Sequence, residues 1–408
     1  RGASVSKNEC VAVLDIGTAK TVAFVMELGS RAKPFVRGAG LSATLGLHKG
    51  KVADGEALAF SLRGALAQAE QNADCKISKL FCNPAGVAVK TLLNRGTTAI
   101  QQKTKEICAP DVERVVEASK ILPVNSGQEV VHAVPQRFYI DERPCQQVLG
   151  EHGVRLEVET RIIAADAQQL ADLTGIVNGP GFGPLTGWIH NGLALAGSVL
   201  TEEEQNASAL VMDMGAGTTE VTLVDKQQPV FTFTLPVAGR HITNDLSVGL
   251  GISFDEAEQL KLQYGVAGED MADPQKMVEF EGQKNAVSLR VVGEIIEARL
   301  QEIFMLVQQS ILEAGRQIPP AVILAGGTAL LPGLAKLLAT RWETQVRIAD
   351  PPRVEGAPVN FHNAAFVSIA AMSIYTAHLN IFAKKTEKGY FWGIFDKFSY
   401  YWRAFSGI

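Results

Sequence analysis

Strand-like and helix-like runs alternate along most of this chain. Val11 to Leu14 and Thr21 to Val25 are apolar runs either side of a polar, glycine-containing stretch, Asp15-Ile-Gly-Thr18, which reads as strand, turn, strand. The same grammar returns roughly half a chain later as Leu210-Val-Met212, Asp213-Met-Gly-Ala-Gly-Thr218 and Val221-Thr-Leu-Val224. An echo at that distance predicts a duplicated, two-lobed fold, because solenoid repeats have far shorter periods.

Between the echoes, the spacing predicts helices over Glu56 to Asn72 and Asp111 to Leu122, and strands over Lys79 to Phe81, Val130 to Tyr139 and Val154 to Ala164. Asn178-Gly-Pro-Gly-Phe-Gly-Pro184 is a cluster of helix and strand breakers and must be a loop. From Ala286 to Arg316 the apolar residues recur with a period near 3.6, giving one long helix or two nearly collinear ones. A strand at Val322 to Ala325 then ends in Gly326-Gly327-Thr328 and leads to a helix from about Leu334. Ala364 to Ala383 is apolar but rich in small and polar residues, which predicts a packed helix rather than a bilayer span. The fold class is α/β.

Composition narrows the function. The chain has 408 residues, 47% of them hydrophobic, enough for two or three cores and too apolar for a disordered chain. With 38 basic against 43 acidic residues and no basic block, it carries no electrostatic footprint for nucleic acid. The five cysteines lack metal-site spacing and indicate no disulfide framework, so they read as free thiols of a reducing cytosol. The seven histidines show no paired ligand spacing and read as structural. The chain opens on Arg1 with no basic-then-apolar leader in view.

The two Asp-bearing turns carry the chemistry. An apolar strand that delivers an Asp and then Gly and Thr within a tight turn presents backbone N–H groups to phosphate oxygens, with no Cβ to hold the phosphates away. Asp15, Gly17, Thr18 and Lys20 form one such set, and Asp213, Gly215, Gly217 and Thr218 the other. Asp15 and Asp213 would then share a hydrated Mg²⁺, which keeps several waters and asks for one or two carboxylates. An Asp in a turn also serves as a plain Asx cap, but two copies together with Gly326-Gly327 favour an ATP site. Glu258 and Lys261, three apart on a predicted helix, suit either the ribose and base edge or a solvated ion pair. Gly46-Leu-His-Lys-Gly50-Lys51 is one residue short of a P-loop, and Gly38-Ala-Gly40 lacks the downstream acid of a dinucleotide turn and reads as an ordinary turn. No catalytic base emerges; Glu220 lies near the second motif but reads as pointing along its strand.

The C-terminus is a second signal. Phe391, Ile394, Phe395, Phe398, Tyr401, Trp402 and Phe405 make one helical stripe beside Trp392, with Lys397 and Arg403 on the polar side. Nine of the chain's 28 aromatic residues fall between Tyr390 and Phe405, a density that favours a lipid interface over a docked terminal helix. From Lys384 onward five basic residues face two acidic ones, which suits anionic lipid, and Lys384 to Gly389 reads as a linker. Immersing about half of seven such side chains, at roughly 150 Å² each, gains on the order of 10 kcal/mol gross. Ordering the helix offsets much of this, so single copies bind reversibly and several on one polymer bind tightly.

These residues resemble the actin, sugar-kinase and heat-shock ATPase superfamily. Asp15-Ile-Gly-Thr-Ala-Lys20 is similar to its first phosphate motif, Asp213-Met-Gly-Ala-Gly-Thr218 to its second and Leu324-Ala-Gly-Gly-Thr328 to its adenosine motif. Gly46-Leu-His-Lys-Gly50, Ala73-Asp-Cys-Lys-Ile-Ser78, His132-Ala-Val-Pro-Gln136, Ser198-Val-Leu-Thr-Glu202, Val346-Arg-Ile348 and the terminal amphipathic stretch narrow the resemblance to the FtsA cell-division family, over nearly the whole chain. The resemblance implies an actin-like fold with subdomain 1A at 8–84, 167–207 and 357–380, subdomain 1C at 85–166, subdomain 2A at 208–240 and 318–356, and subdomain 2B at 241–317. A linker at 381–389 and a membrane-targeting helix at 390–408 follow. It further implies a cytoplasmic, peripheral membrane protein at the division site that self-assembles with ATP and Mg²⁺. Its partners would be the C-terminal peptide of the tubulin-like GTPase FtsZ through 2B, later division proteins through 1C, and anionic lipids, with at most slow ATP turnover. Glu258 and Lys261 match the family's E-x-x-K at the nucleoside. A pilus-assembly actin homologue and a small-molecule kinase of the same superfamily are the rival readings.

Removing 390–408 is expected to release the protein from anionic liposomes while nucleotide affinity stays the same. Unchanged co-sedimentation after that deletion would eliminate the lipid-binding role of this stretch.

Overall fold

The computed structural model describes residues 10–28, 33–122, 127–273, 275–279 and 286–387. The first lobe opens with β1 (Cys10–Ile16), β2 (Lys20–Leu28) and β3 (Pro34–Ala43), followed by a short hairpin of β4 (Leu47–His48) and β5 (Lys51–Val52), then α1 (Gly55–Ala73) and β6 (Ile77–Cys82). An inserted unit follows, made of β7 (Val89–Ala99), α2 (Ala109–Ser119), β8 (Gln128–Ile140), β9 (Arg143–Cys145) and β10 (Arg155–Asp166). The chain then returns through α3 (Ala167–Val177), β11 (Leu185–Trp188), α4 (Asn191–Val199) and α5 (Glu202–Ala207). The second lobe runs through β12 (Ala209–Met214), β13 (Thr219–Asp225), β14 (Gln228–Leu235), α6 (Gly239–Leu250), α7 (Phe254–Tyr264), β15 (Met277–Val278), β16 (Val287–Ser288), α8 (Leu289–Glu313), β17 (Ala321–Ala325), α9 (Leu334–Trp342) and β18 (Gln345–Ile348). Finally α10 (Val367–Glu387) packs on the first lobe.

Duplication is visible in the sheets. In the first lobe the strand order is β11-β6-β1-β2-β3, and the matching half of the second sheet runs β18-β17-β12-β13-β14. In each, an antiparallel three-strand meander carries two parallel strands on its leading edge. The second sheet continues past β14 into the inserted unit, β7-β10-β8-β9. That join is one residue pair, Phe233 with Lys90, whereas β10 and β7 share eleven.

Alternation along the strands assigns the cores. Val11 and Val13 of β1, with Val22, Phe24 and Met26 of β2, face α4 and α10. Cys10, Ala12, Leu14 and Ile16 face the other way, onto α1 and α3. The core around α4 and α10 also takes in Val211, Ile323 and Ala325 of the second lobe. On α1, Asp54 accepts hydrogen bonds from the Glu56 and Ala57 amides as N-cap, and Leu58, Leu62, Ala65, Leu66 and Ala69 form the buried stripe. The long amphipathic run is one helix, α8, with Ile296, Leu300, Ile303, Phe304, Val307 and Ile311 buried.

Several expectations change. Gly38 and Gly40 sit inside β3, not in a turn, because α1 lies against them: a Cβ would stand 2.0 Å from the Ala69 carbonyl oxygen and 1.9 Å from that of Ala65. Cys10 and Cys75 are joined by a disulfide, with Cα atoms 6.5 Å apart. The expectation of five free thiols is therefore corrected; sixty-five residues separate the pair, and the parallel pairing of β6 with β1, Cys10 opposite Ile77, brings them together. The run Lys384 to Glu387, expected to begin a linker, completes α10. Among the described residues no helix is long and apolar enough to cross a membrane.

Gly40→Ala is expected to destabilise the chain by about 1–3 kcal/mol, the cost of overpacking a close helix–sheet contact. A urea midpoint that moves down at unchanged m-value is the measurement that checks it.

Candidate functional site

Asp15 and Asp213 occupy the same place in the two copies, one residue before the ends of β1 and β12. Each strand then makes the same turn, closed by Gly17 N–H to the Lys20 carbonyl and by Gly215 N–H to the Thr218 carbonyl, both 3.0 Å. The turns meet across the interlobe cleft: a Cβ on Gly217 would stand 2.5 Å from Thr18 Oγ1. Between them opens a cavity of about 560 Å³ lined by both aspartates, the two turns, Lys20, Glu220, Glu258, Lys261, Gly326 and Gly327.

The acids are short of positive charge. Asp15 accepts from Asn83 Nδ2 at 2.8 Å and Asp213 from Ser368 Oγ at 3.0 Å. Glu220 Oε1 accepts from the Gly192 amide at 2.6 Å. Burial, and then the neighbouring Asp213 charge, push Asp15 up to about 7. Burial and the Glu220 charge raise Asp213 to about 6, and burial raises Glu220 itself to about 7. Lys20 is the counter-charge; its ammonium lies 4.0 Å from the centre of the Phe366 ring, and burial holds its pKa down. Three desolvated carboxylates around one such lysine favour a divalent cation. Among the described residues no three His, Cys, Asp or Glu side chains are gathered to hold a metal directly, so water would have to complete the shell, which is how Mg²⁺ is usually held.

The far end of the cavity is built from backbone. Gly326 has φ +86°, and a Cβ there would meet Asp213 Oδ1 and the Met214 carbonyl at 2.4 Å. Thr328 Oγ1 donates to the Gly215 carbonyl at 2.7 Å, tying the glycine pair to the second turn. Glu258 and Lys261 line the cavity and also pair with each other at 2.7 Å. Lys261 donates to Thr243 Oγ1 at 2.8 Å and to the Gly239 carbonyl at 3.2 Å. The ion pair is therefore present, set in the cavity wall and not on a solvated face.

Of the residues expected at the site, Asp15, Gly17, Thr18, Lys20, Asp213, Gly215, Thr218, Glu258, Lys261, Gly326 and Gly327 all line the cavity. Gly217 does not; it is the contact point between the turns. Phe391, Trp392, Ile394, Phe395, Lys397, Phe398, Tyr401, Trp402, Arg403 and Phe405 lie outside the described residues. The placement of Glu220 is corrected: it faces the cleft. It pairs directly with Asp213 in the β12–β13 ladder, and cross-strand partners share a face, so the hairpin register carried the signal. Asn83, Asn191 and Ser368 were missed. Asn83 follows β6, a strand end beside Asp15, whereas Asn191 and Ser368 arrive from helix starts that no spacing marks.

The family model described as Cell division protein FtsA matches residues 210–371, and the SHS2 domain inserted in FTSA matches 86–164. The chain is 29% identical over 380 residues to Cell division protein FtsA of Pseudomonas aeruginosa, covering 91% of this chain and 90% of that one. It is 30% identical over 370 residues to that of Borreliella burgdorferi, covering 89% of each, and 31% identical over 356 residues to that of Bacillus subtilis, covering 85% and 80%. Among solved structures it is similar to the PilM-PilN type IV pilus biogenesis complex (TM-score 0.62, 18% identity, 90% of this chain and 98% of that one). It is also similar to MreB5 of Spiroplasma citri bound to AMPPNP (TM-score 0.54, 14% identity, 94% and 100%). At these identities the structural likenesses establish an actin-like fold and nothing finer, so the pilus-assembly reading gains no support from them.

Gly326→Ala should push Asp213 and the second turn out of place and weaken nucleotide binding by roughly tenfold or more, about 1.4 kcal/mol. Titration with a fluorescent ATP analogue provides the check.

Proposed function

The chain belongs to the FtsA family of cell-division proteins, and on that premise we propose that it is an ATP-binding, self-assembling scaffold that links the division ring to the membrane. The observation that supports this most directly is the cleft in which Asp15 and Asp213, delivered by two copies of one strand-turn-strand unit, face each other beside Glu220. In this reading the Gly17–Lys20 and Gly215–Thr218 turns cradle the phosphates with Lys20, Asp15 and Asp213 hold Mg²⁺ through water, and Gly326, Gly327, Glu258 and Lys261 border the nucleoside. The cation, when bound, neutralises phosphate charge and relieves the crowding of carboxylates.

The finer assignments belong to the same proposal. Residues 85–166 act as the 1C unit that meets later division proteins, and 241–317 as the 2B unit that takes the FtsZ C-terminal peptide. The 1A segments (8–84, 167–207, 357–380) and 2A segments (208–240, 318–356) form the two lobes, and 390–408 binds the anionic inner face of the cell membrane at the division site. Assembly and recruitment, rather than rapid turnover, are the work of this protein.

Electron microscopy on anionic lipid monolayers tests the reading. With Mg-ATP the full chain is expected to form filaments. Asp213→Ala is expected to form none and to lose nucleotide affinity by at least roughly a hundredfold, about 2.7 kcal/mol. Full affinity in that variant would remove the assignment of the cleft.

A further inference from the structure

A buried imidazole stands where the two lobes and the inserted unit meet. His190, just ahead of α4, is 0% exposed. Its Nδ1 accepts from the Leu193 amide at 3.2 Å, which leaves the ring proton on Nε2. Nε2 lies 3.2 Å from Glu220 Oε1 and 3.3 Å from Thr232 Oγ1, so this one N–H is shared between an acid of the cleft and the last strand of the second lobe's meander. The threonine is satisfied: its hydroxyl donates to the Val221 carbonyl at 2.8 Å and meets Thr222 Oγ1 at 3.0 Å. Burial keeps the imidazole neutral, its pKa held down to about 3.

The inserted unit grips this same group from two of its strands. On β8, His132 Nε2 accepts the His190 backbone N–H at 3.0 Å. On β7, Thr91 Oγ1 accepts the Thr232 backbone N–H at 2.7 Å and donates to the Thr232 carbonyl at 3.1 Å. This threonine bracket sits beside the single Phe233–Lys90 rung that continues the sheet from lobe to insert. There is no slack around the imidazole: a Cβ on the adjacent Gly192 would stand 1.9 Å from Thr222 Oγ1 and 2.8 Å from His190 Cε1. Packed groups of this kind pass on a displacement instead of absorbing it.

We propose that His190 is a positioning residue that holds Glu220 in the cleft, and that the inserted unit, through Thr91 and His132, and the nucleotide, through Glu220, each bias its placement. The seating of the insert and the occupancy of the cleft are thereby coupled, and the coupling is reciprocal as thermodynamics requires. This rests on the proposed nucleotide site and adds to it a route by which a partner on the insert would alter nucleotide affinity.

Amide hydrogen exchange on the full chain, with and without Mg and a slowly hydrolysed ATP analogue, tests the proposal. Nucleotide is expected to slow exchange in 89–93 and 128–134 by about fivefold or more, the lower end of ordinary coupling. Thr91→Val, which removes only the bracketing hydroxyl, and His132→Leu are expected to bind the analogue yet lose that response. His132→Gln, which keeps an acceptor for the His190 N–H, is expected to restore it, an outcome that loss of packing alone would not produce. If the unmodified chain binds the analogue and these strands do not respond, or if Thr91→Val responds in full, the coupling is wrong and the nucleotide site stands. A chain that fails to bind the analogue overturns both.

Discussion

Everything in this molecule is arranged around carboxylates that have been taken out of water without enough positive charge beside them. Burying an ionised acid is expensive unless a partner or a proton accompanies it, and here Asp15, Asp213 and Glu220 crowd one cleft with Lys20 as their nearby cation. The fold supplies that crowding twice over from one device, an apolar strand ending in Asp and a glycine turn. Each copy alone would be an unremarkable hairpin. Opposed, they gather buried acid that a cation would relieve.

Hydrophobic alternation made much of this legible in advance. The two strand-turn-strand hairpins, the long α8 and the entry to α9 all follow from period-2 and period-3.6 patterns, and the site glycines from the turns those patterns leave over. What escaped the sequence is what depends on pairing across space. Glu220 was misjudged because its direction follows from facing Asp213 in the ladder, not from its own strand. Gly38 and Gly40 looked like a turn because nothing local announces that α1 presses on β3. The Cys10–Cys75 crosslink and the Ser368 contact to Asp213 join residues far apart in sequence, where spacing carries no information.

The inserted unit shows how an actin-like frame can take on a second structure without disturbing the first. Its own core, around Val115, Phe138, Leu156 and Val158, is separate from those of the lobes. Its strands nevertheless extend the sheet of the opposite lobe, so it borders the cleft without lining most of it. The cleft and the insert are thus placed side by side, with a handful of buried polar contacts between them.

The core around α4 and α10 draws side chains from both lobes, with Val13 and Phe24 on one side and Val211 and Ile323 on the other. Each lobe also keeps a core of its own on its other face, so this third, shared core is the one that joins them. A fragment ending before α10 would leave the apolar surface of this shared core open to water. A widening of the cleft that keeps this common spine packed is a rotation about it, because a close-packed interior resists being opened.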